Sequence, residues 1–139
     1  MQLIVGVKGT GKTKTLIEEV NKASKETNGV VICIECGRKL TFDIKYHARL
    51  VDALEYGVDD ADKLYGFVCG MLAGNYDITE LFIDSALKIC GDNIEAFEDF
   101  VLKVEKITSQ HKIECVIVAS TDPGALTEKT TGFIRPVNA

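Results

Sequence analysis

The stretch Gly6-Val7-Lys8-Gly9-Thr10-Gly11-Lys12-Thr13 fits the spacing G-x-x-x-x-G-K-[ST] at every specified position. Glycines let the main chain bend tightly and offer its N–H groups to an anion. Lys12 adds a cation suited to β- and γ-phosphates, and Thr13 a hydroxyl suited to Mg²⁺. Lys8 either touches phosphate or points to water, and Lys14 completes the candidate set. The flanks agree with this reading. Leu3-Ile4-Val5 is a short apolar strand before the bend. Leu16, Ile17, Val20 and Ala23 then share one face of a helix over Lys12–Lys25, which Asn28-Gly29 closes. The positive end of that helix faces the same anion. The competing reading is a glycine-rich turn without a ligand.

The chain has 139 residues, a length that suggests one domain, 1–139. Its 46% hydrophobic and 27% charged residues are those of an ordinary soluble protein. Formal net charge is −5, and the arginines are Arg38, Arg49 and Arg135 alone. Without a basic tract, the sequence argues against a broad nucleic-acid footprint. Cys33, Cys36, Cys69, Cys90 and Cys115 are odd in number and lie mostly in apolar runs, which reads as reduced, buried thiols. Cys33-Ile34-Glu35-Cys36 lacks a second pair at zinc spacing, and alternation along a strand sends its two cysteines to opposite faces. His47 and His111 have no ligand-spaced partners. No cleavable apolar leader or membrane span is evident, so the expectation is a cytoplasmic protein.

Along the chain, strands alternate with helices, the pattern of an α/β fold with a mainly parallel sheet. Strands are expected near Gln2–Val5, Val30–Glu35, Glu80–Asp84, Ile113–Ala119 and Gly132–Arg135. Between the second and third strands, Thr41 or Asp43 is positioned to cap a helix carrying Ile44, Ala48, Val51 and Leu54, ended by Gly57. Asp59-Asp60-Ala61-Asp62 opens another, running to about Ala73. Gly66, Gly70 and Gly74 fall on one side of it, which reads as close packing against a neighbour. Asp92-Asn93 with Glu95 opens a last helix carrying Ile94, Phe97, Val101, Val104 and Thr108.

On Gly6–Thr13 and Leu81-Phe82-Ile83-Asp84 the chain resembles the P-loop NTPase superfamily, in its branch with an added strand between the Walker A and Walker B strands. The resemblance implies a three-layer sandwich with a five-stranded sheet ordered 5-1-4-3-2. It implies ATP and Mg²⁺ as ligands, with the metal held by Thr13 and Asp84. Many ATPases of this kind place a glutamate after the Walker B aspartate to orient the attacking water; here Ser85 stands there. Glu35, at the C-terminal end of the second strand, is the candidate replacement base, or else a solvated loop acid. Glu80 shares the parity of Asp84 but lies about 13 Å away along its strand, too far for chemistry. Ser120-Thr121 follows the fourth strand where a sensor residue contacts the γ-phosphate, or merely begins the turn at Asp122-Pro123-Gly124. Catalytic candidates are therefore Lys12, Glu35 and Ser120. The three arginines are candidate fingers or surface pairs.

Signatures of guanine-specific switch proteins are missing, which favours ATP. The chain also resembles short stand-alone bacterial ATP-binding proteins of unassigned role, some labelled as twitching-motility related, on Leu40-Thr41-Phe42-Asp43-Ile44 and Ala73-Gly74-Asn75-Tyr76-Asp77-Ile78-Thr79. Pilus motors have a second domain and acidic and histidine boxes, so motor function does not carry over. The sequence leaves open a weak or partner-stimulated ATPase, with an unknown protein partner, a small-molecule kinase, and a binding module that does not hydrolyse its nucleotide.

Overall fold

A computed structural model describes residues 1–45, 47–135 and 137. The elements run β1 (Gln2–Gly6), α1 (Lys12–Glu26), β2 (Val30–Glu35), β3 (Arg49–Asp52), α2 (Ala61–Gly74), β4 (Ile78–Ile83), α3 (Ala86–Ile89), α4 (Ile94–Gln110), β5 (Glu114–Ser120) and β6 (Ile134–Arg135). Short 3-10 turns follow β3 and flank the β5–β6 connection.

The strands form one six-stranded sheet in the order β3-β2-β4-β5-β1-β6, and every pairing among the described residues is parallel. Parallel strands need long crossovers, and helices supply them on both faces. Leu16, Val20 and Ala23 of α1 pack on Ile4, Val31, Cys33, Phe82, Val116 and Val118. The opposite face, with Leu3, Ile34, Leu81, Ile83 and Ile117, is covered by α2, α3 and α4 through Leu64, Val68, Leu87, Phe97, Phe100 and Val104. Both faces being covered explains why the strands are continuous apolar runs. Cys33 and Cys36 do fall into the two different cores. All five cysteines are free thiols. No helix of the described residues is long and apolar enough to cross a membrane.

The sheet has six strands, not the five expected. The five expected strands keep their relative order, and the sixth, β3, joins beyond β2. It lies in the segment expected to be a helix carrying Val51 and Leu54. Residues Arg49 to Asp52 pair with Ile32 to Glu35, sending Val51 into one core and Leu50 against the other. The open edge of β2 offers a ladder of hydrogen bonds, and that outweighs a weak helical period. Between β2 and β3 no helix forms among the described residues; the N–H groups of Asp43 and Ile44 both donate to the carbonyl oxygen of Leu40 at 3.0 Å.

The glycine stripe is a second correction. Gly66, Gly70 and Gly74 are exposed, and a methyl group added at any of them meets nothing within 4 Å. The apolar side of α2 faces the core through Leu64, Val68 and Leu72 instead.

Candidate functional site

The Gly6–Thr13 stretch connects β1 to the N-terminus of α1, at the C-terminal edge of the sheet. Gly9 and Gly11 have φ of +89° and +87°, the left-handed region that L side chains rarely adopt. Gly11 is the residue from which α1 springs. At Gly6 the constraint is space: a methyl group there would lie 2.7 Å from Thr10 Oγ1, which itself donates to the carbonyl of Val7 at 2.8 Å. Among the described residues, the main-chain N–H groups of Gly11, Lys12, Thr13 and Lys14 donate no hydrogen bond. These are the unmatched donors that begin any helix, here at the head of fifteen residues.

Lys12 is only 6% exposed, and its ammonium donates to Val7 O at 2.9 Å, with Thr10 Oγ1 at 3.5 Å. Burial holds its pKa below the ordinary lysine value, partly offset by the charge of Asp84. Val7, Lys8, Gly9, Thr10, Gly11, Thr13 and Lys14 are exposed. Thr15, which the sequence did not flag, is buried, and its hydroxyl donates to Gly11 O at 3.2 Å and to Val137 O at 2.9 Å. It ties the base of the loop to the chain after β6.

Asp84 directly follows β4, and its N–H donates to Ile34 O of β2 at 2.8 Å. It is 6% exposed. Burial raises its pKa; Ser85, Lys39 and Lys12 pull the other way. Ser85 adopts φ 56°, ψ 33°, a left-handed conformation costly for a residue with a side chain. Lys12 and Asp84 both lie at the C-terminal edge of the sheet, where the charge of each acts on the other.

Glu35 is also at this edge, in register with Asp52 of β3. It is not a solvated loop acid. At 2% exposure, its Oε1 accepts the N–H groups of Lys39 at 2.8 Å and Leu40 at 3.1 Å. Burial together with the negative charges of Asp84 and Glu35 pushes the Cys33 thiol well up, so it stays protonated. Ser120 ends β5 opposite Gly6 and is exposed, while Thr121 donates its N–H to Gly6 O at 3.1 Å. The turn forms too, with Asp122 Oδ1 accepting the N–H of Gly124 at 2.9 Å.

The remaining candidates lie apart from this cluster or are already paired. Arg38 pairs with Glu55 at 3.2 Å on the surface. Arg135 pairs with Glu19 in a cleft that also carries Glu80 and Glu114, near the beginnings of β4 and β5 and not their ends. Arg49 is exposed on β3, and His47 and His111 are exposed as well. Among the described residues, no three His, Cys, Asp or Glu side chains gather as a metal cage.

No known protein family matches this chain, and no curated protein matches it. The geometry alone therefore carries the functional reading. Besides Thr15, it displays two further groups that sequence reasoning missed: Lys39, placed by the turn after β2, and Glu98 of α4, which is 2% exposed and holds Thr127 and Thr130 of the β5–β6 connection. Neither belongs to a motif, because each is defined by a partner distant in sequence or by a turn that local pattern does not encode.

Proposed function

We propose that this chain is a P-loop protein that binds ATP with Mg²⁺ at the Gly6–Thr13 loop and hydrolyses it weakly or when stimulated by a partner. One observation carries this reading above the others. A bend with two left-handed glycines delivers a nearly buried ammonium and four unmatched helix N–H groups to one place, with the Asp84 carboxylate at the same sheet edge. A triphosphate satisfies these donors and this cation together, which no neutral ligand does.

The residues also fit magnesium. This ion takes one or two protein oxygens and completes its shell with water and phosphate, so a cage of three side chains is not required. Thr13 and Asp84 are the two protein groups for it. Bound there, the ion neutralises charge on the phosphate oxygens. The chain's own residues do the rest. Gly9 and Gly11 shape the cradle, Lys12 turns its ammonium from Val7 O toward phosphate, and Ser120 lies beside Gly6, within reach of the terminal group's surroundings.

A second reading, a module that keeps its nucleotide unhydrolysed, has a specific observation in its favour. Oε1 of Glu35 is already committed to two loop amides, which weakens its case as a general base. Calorimetry with MgATP, followed by phosphate-release assays with and without cell extract fractions, tests both. Micromolar binding that Lys12→Ala abolishes supports the site. Retained binding in Lys12→Ala refutes it, and binding without phosphate release in any fraction favours the second reading. Joint stabilisation by ATP and one small acceptor would point to a kinase instead.

A further inference from the structure

The segment after β2 is built as a rigid turn, and two carboxylates hold it. Glu35 Oε1 grips the N–H groups of Lys39 and Leu40 from below. Asp52 Oδ1 takes the N–H of Gly37 at 2.8 Å and that of Leu54 at 3.0 Å from the side. Gly37 turns the chain at φ +90°, and Lys39 N closes the turn on Gly37 O at 3.1 Å. Leu40, 2% exposed, anchors the far end in the α1-side core. Four hydrogen bonds thus hold three residues of this turn, Gly37, Lys39 and Leu40.

The residue presented by this turn is Lys39. It is exposed, and among the described residues it forms no ion pair, whereas Arg38 is spent on Glu55 and Arg135 on Glu19. Its stem folds back over the turn, with Cε 3.7 Å from the methyl position of Gly37. The turn begins two residues after Ile34, whose carbonyl accepts the N–H of Asp84, so the loop after β2 and the residue after β4 share one edge. β2 and β4 are adjacent in the sheet, so the turn carrying Lys39 lies next to the strand end that carries Asp84. Lys39 on the turn after β2 and Lys12 at the start of α1 thus stand at the same sheet edge as Asp84.

We propose that Lys39 is the cation that contacts the terminal phosphate of the bound triphosphate, with Glu35 and Asp52 as the positioning residues that fix the turn carrying it. This rests on nucleotide binding at the Gly6–Thr13 loop. Lys12 serves the β- and γ-phosphates from the α1 side, and Lys39 meets the γ-phosphate from the β2 side. The role sought among the arginines falls to a lysine, a compact cation able to follow a phosphate group.

Calorimetry on the full chain with MgATP and MgADP separates the possibilities. The proteins compared are the wild type, Lys12→Ala, Lys39→Ala and Lys39→Arg. Lys39 is exposed, so its variants are expected to fold, and circular dichroism checks this. Loss of one charge-assisted contact predicts about tenfold weaker MgATP binding by Lys39→Ala, with MgADP changed by less than about twofold. Lys39→Arg restores most of the loss, and Lys12→Ala loses both ligands. An unchanged ATP-to-ADP preference in Lys39→Ala, including equal weakening of the two, overturns the role of Lys39 while leaving the nucleotide site standing. A wild type that binds neither ligand overturns the nucleotide site, and the role of Lys39 with it.

Discussion

Oε1 of Glu35 accepts the main-chain N–H of Lys39 at 2.8 Å from a position in the interior. The distinction between a staple and a base is experimentally sharp. Glutamine keeps an oxygen able to accept both amides; alanine does not. Glu35→Ala leaves two donors without a partner at a buried site and is expected to cost about 2 kcal/mol or more. Glu35→Gln is expected to cost about 1 kcal/mol or less and to keep MgATP binding. Urea unfolding reads the first comparison and calorimetry the second. If Glu35→Gln binds MgATP normally but abolishes a measurable hydrolysis, Glu35 acts as a base after all.

Glu98 is the second buried carboxylate with a structural task. It accepts from Thr127 N at 3.0 Å, from Thr127 Oγ1 at 2.9 Å and from Thr130 Oγ1 at 2.6 Å. Burial pushes its pKa up, but these hydrogen bonds outweigh burial, and the carboxyl sits below its ordinary value. A carboxylate with a depressed pKa stabilises the fold above the unfolded pKa, and the stabilisation is lost as pH falls through the folded one. Glu98→Ala is therefore expected to destabilise by about 2 kcal/mol at neutral pH, with the gap to wild type narrowing in acid. Urea midpoints at a series of pH values check this, and a gap that widens in acid would contradict it.

The legible parts of this protein are those written in local pattern. The glycine bend, the helix capped by Asn93 and the apolar strands all depend on neighbours in sequence, and each lies where its residues place it. The parts that escaped reading depend on distant partners. Arg49 to Asp52 is a strand only because β2 presents an open edge to it. Glu35 reads as a loop acid unless the folding back of Lys39 and Leu40 is known. The spacing of Gly66, Gly70 and Gly74 is right for a packed seam, but the apolar side of α2 that meets α4 lies elsewhere on the helix. Lys12 and Asp84 stand out in local pattern because one sits in a dense motif and the other directly follows an apolar strand.

The exposed glycines give a stability prediction. Gly70 lies inside α2 with open space around its methyl position and no positive φ. Alanine there removes unfolded-state freedom without a clash, so Gly70→Ala should raise stability by about 0.5–1 kcal/mol. A destabilised variant in urea unfolding would contradict this.

Lys112 offers the opposite test. It sits just past α4 at φ 57°, with its N–H donating to Ser109 O at 3.2 Å. This is the left-handed closing position that glycine favours. Lys112→Gly relieves the side-chain strain at the cost of a freer unfolded chain, and a net gain of about 0.5 kcal/mol is expected. Thermal unfolding of the single variant measures it. A loss of more than about 0.5 kcal/mol would show that the lysine side chain contributes at this turn.

Asp84 is where stability and binding should part. Its buried carboxyl has a raised pKa, so between the ordinary and the raised value the folded chain binds more protons than the unfolded one. The slope of unfolding free energy with pH is then negative, and stability is lost as pH rises through that window. Asp84→Asn removes the ionisation and keeps an oxygen able to accept hydrogen bonds. At neutral pH the variant is expected to be more stable than wild type by about 1 kcal/mol, a gain that fades toward pH 4 and below. The same substitution removes a magnesium ligand, so binding of MgATP should weaken while magnesium-free ATP binds with little change. Differential scanning calorimetry over pH, beside titrations with and without magnesium, reads both effects. A variant that is less stable at neutral pH, or whose nucleotide affinity ignores magnesium just as the wild type's does, would remove Asp84 from the site.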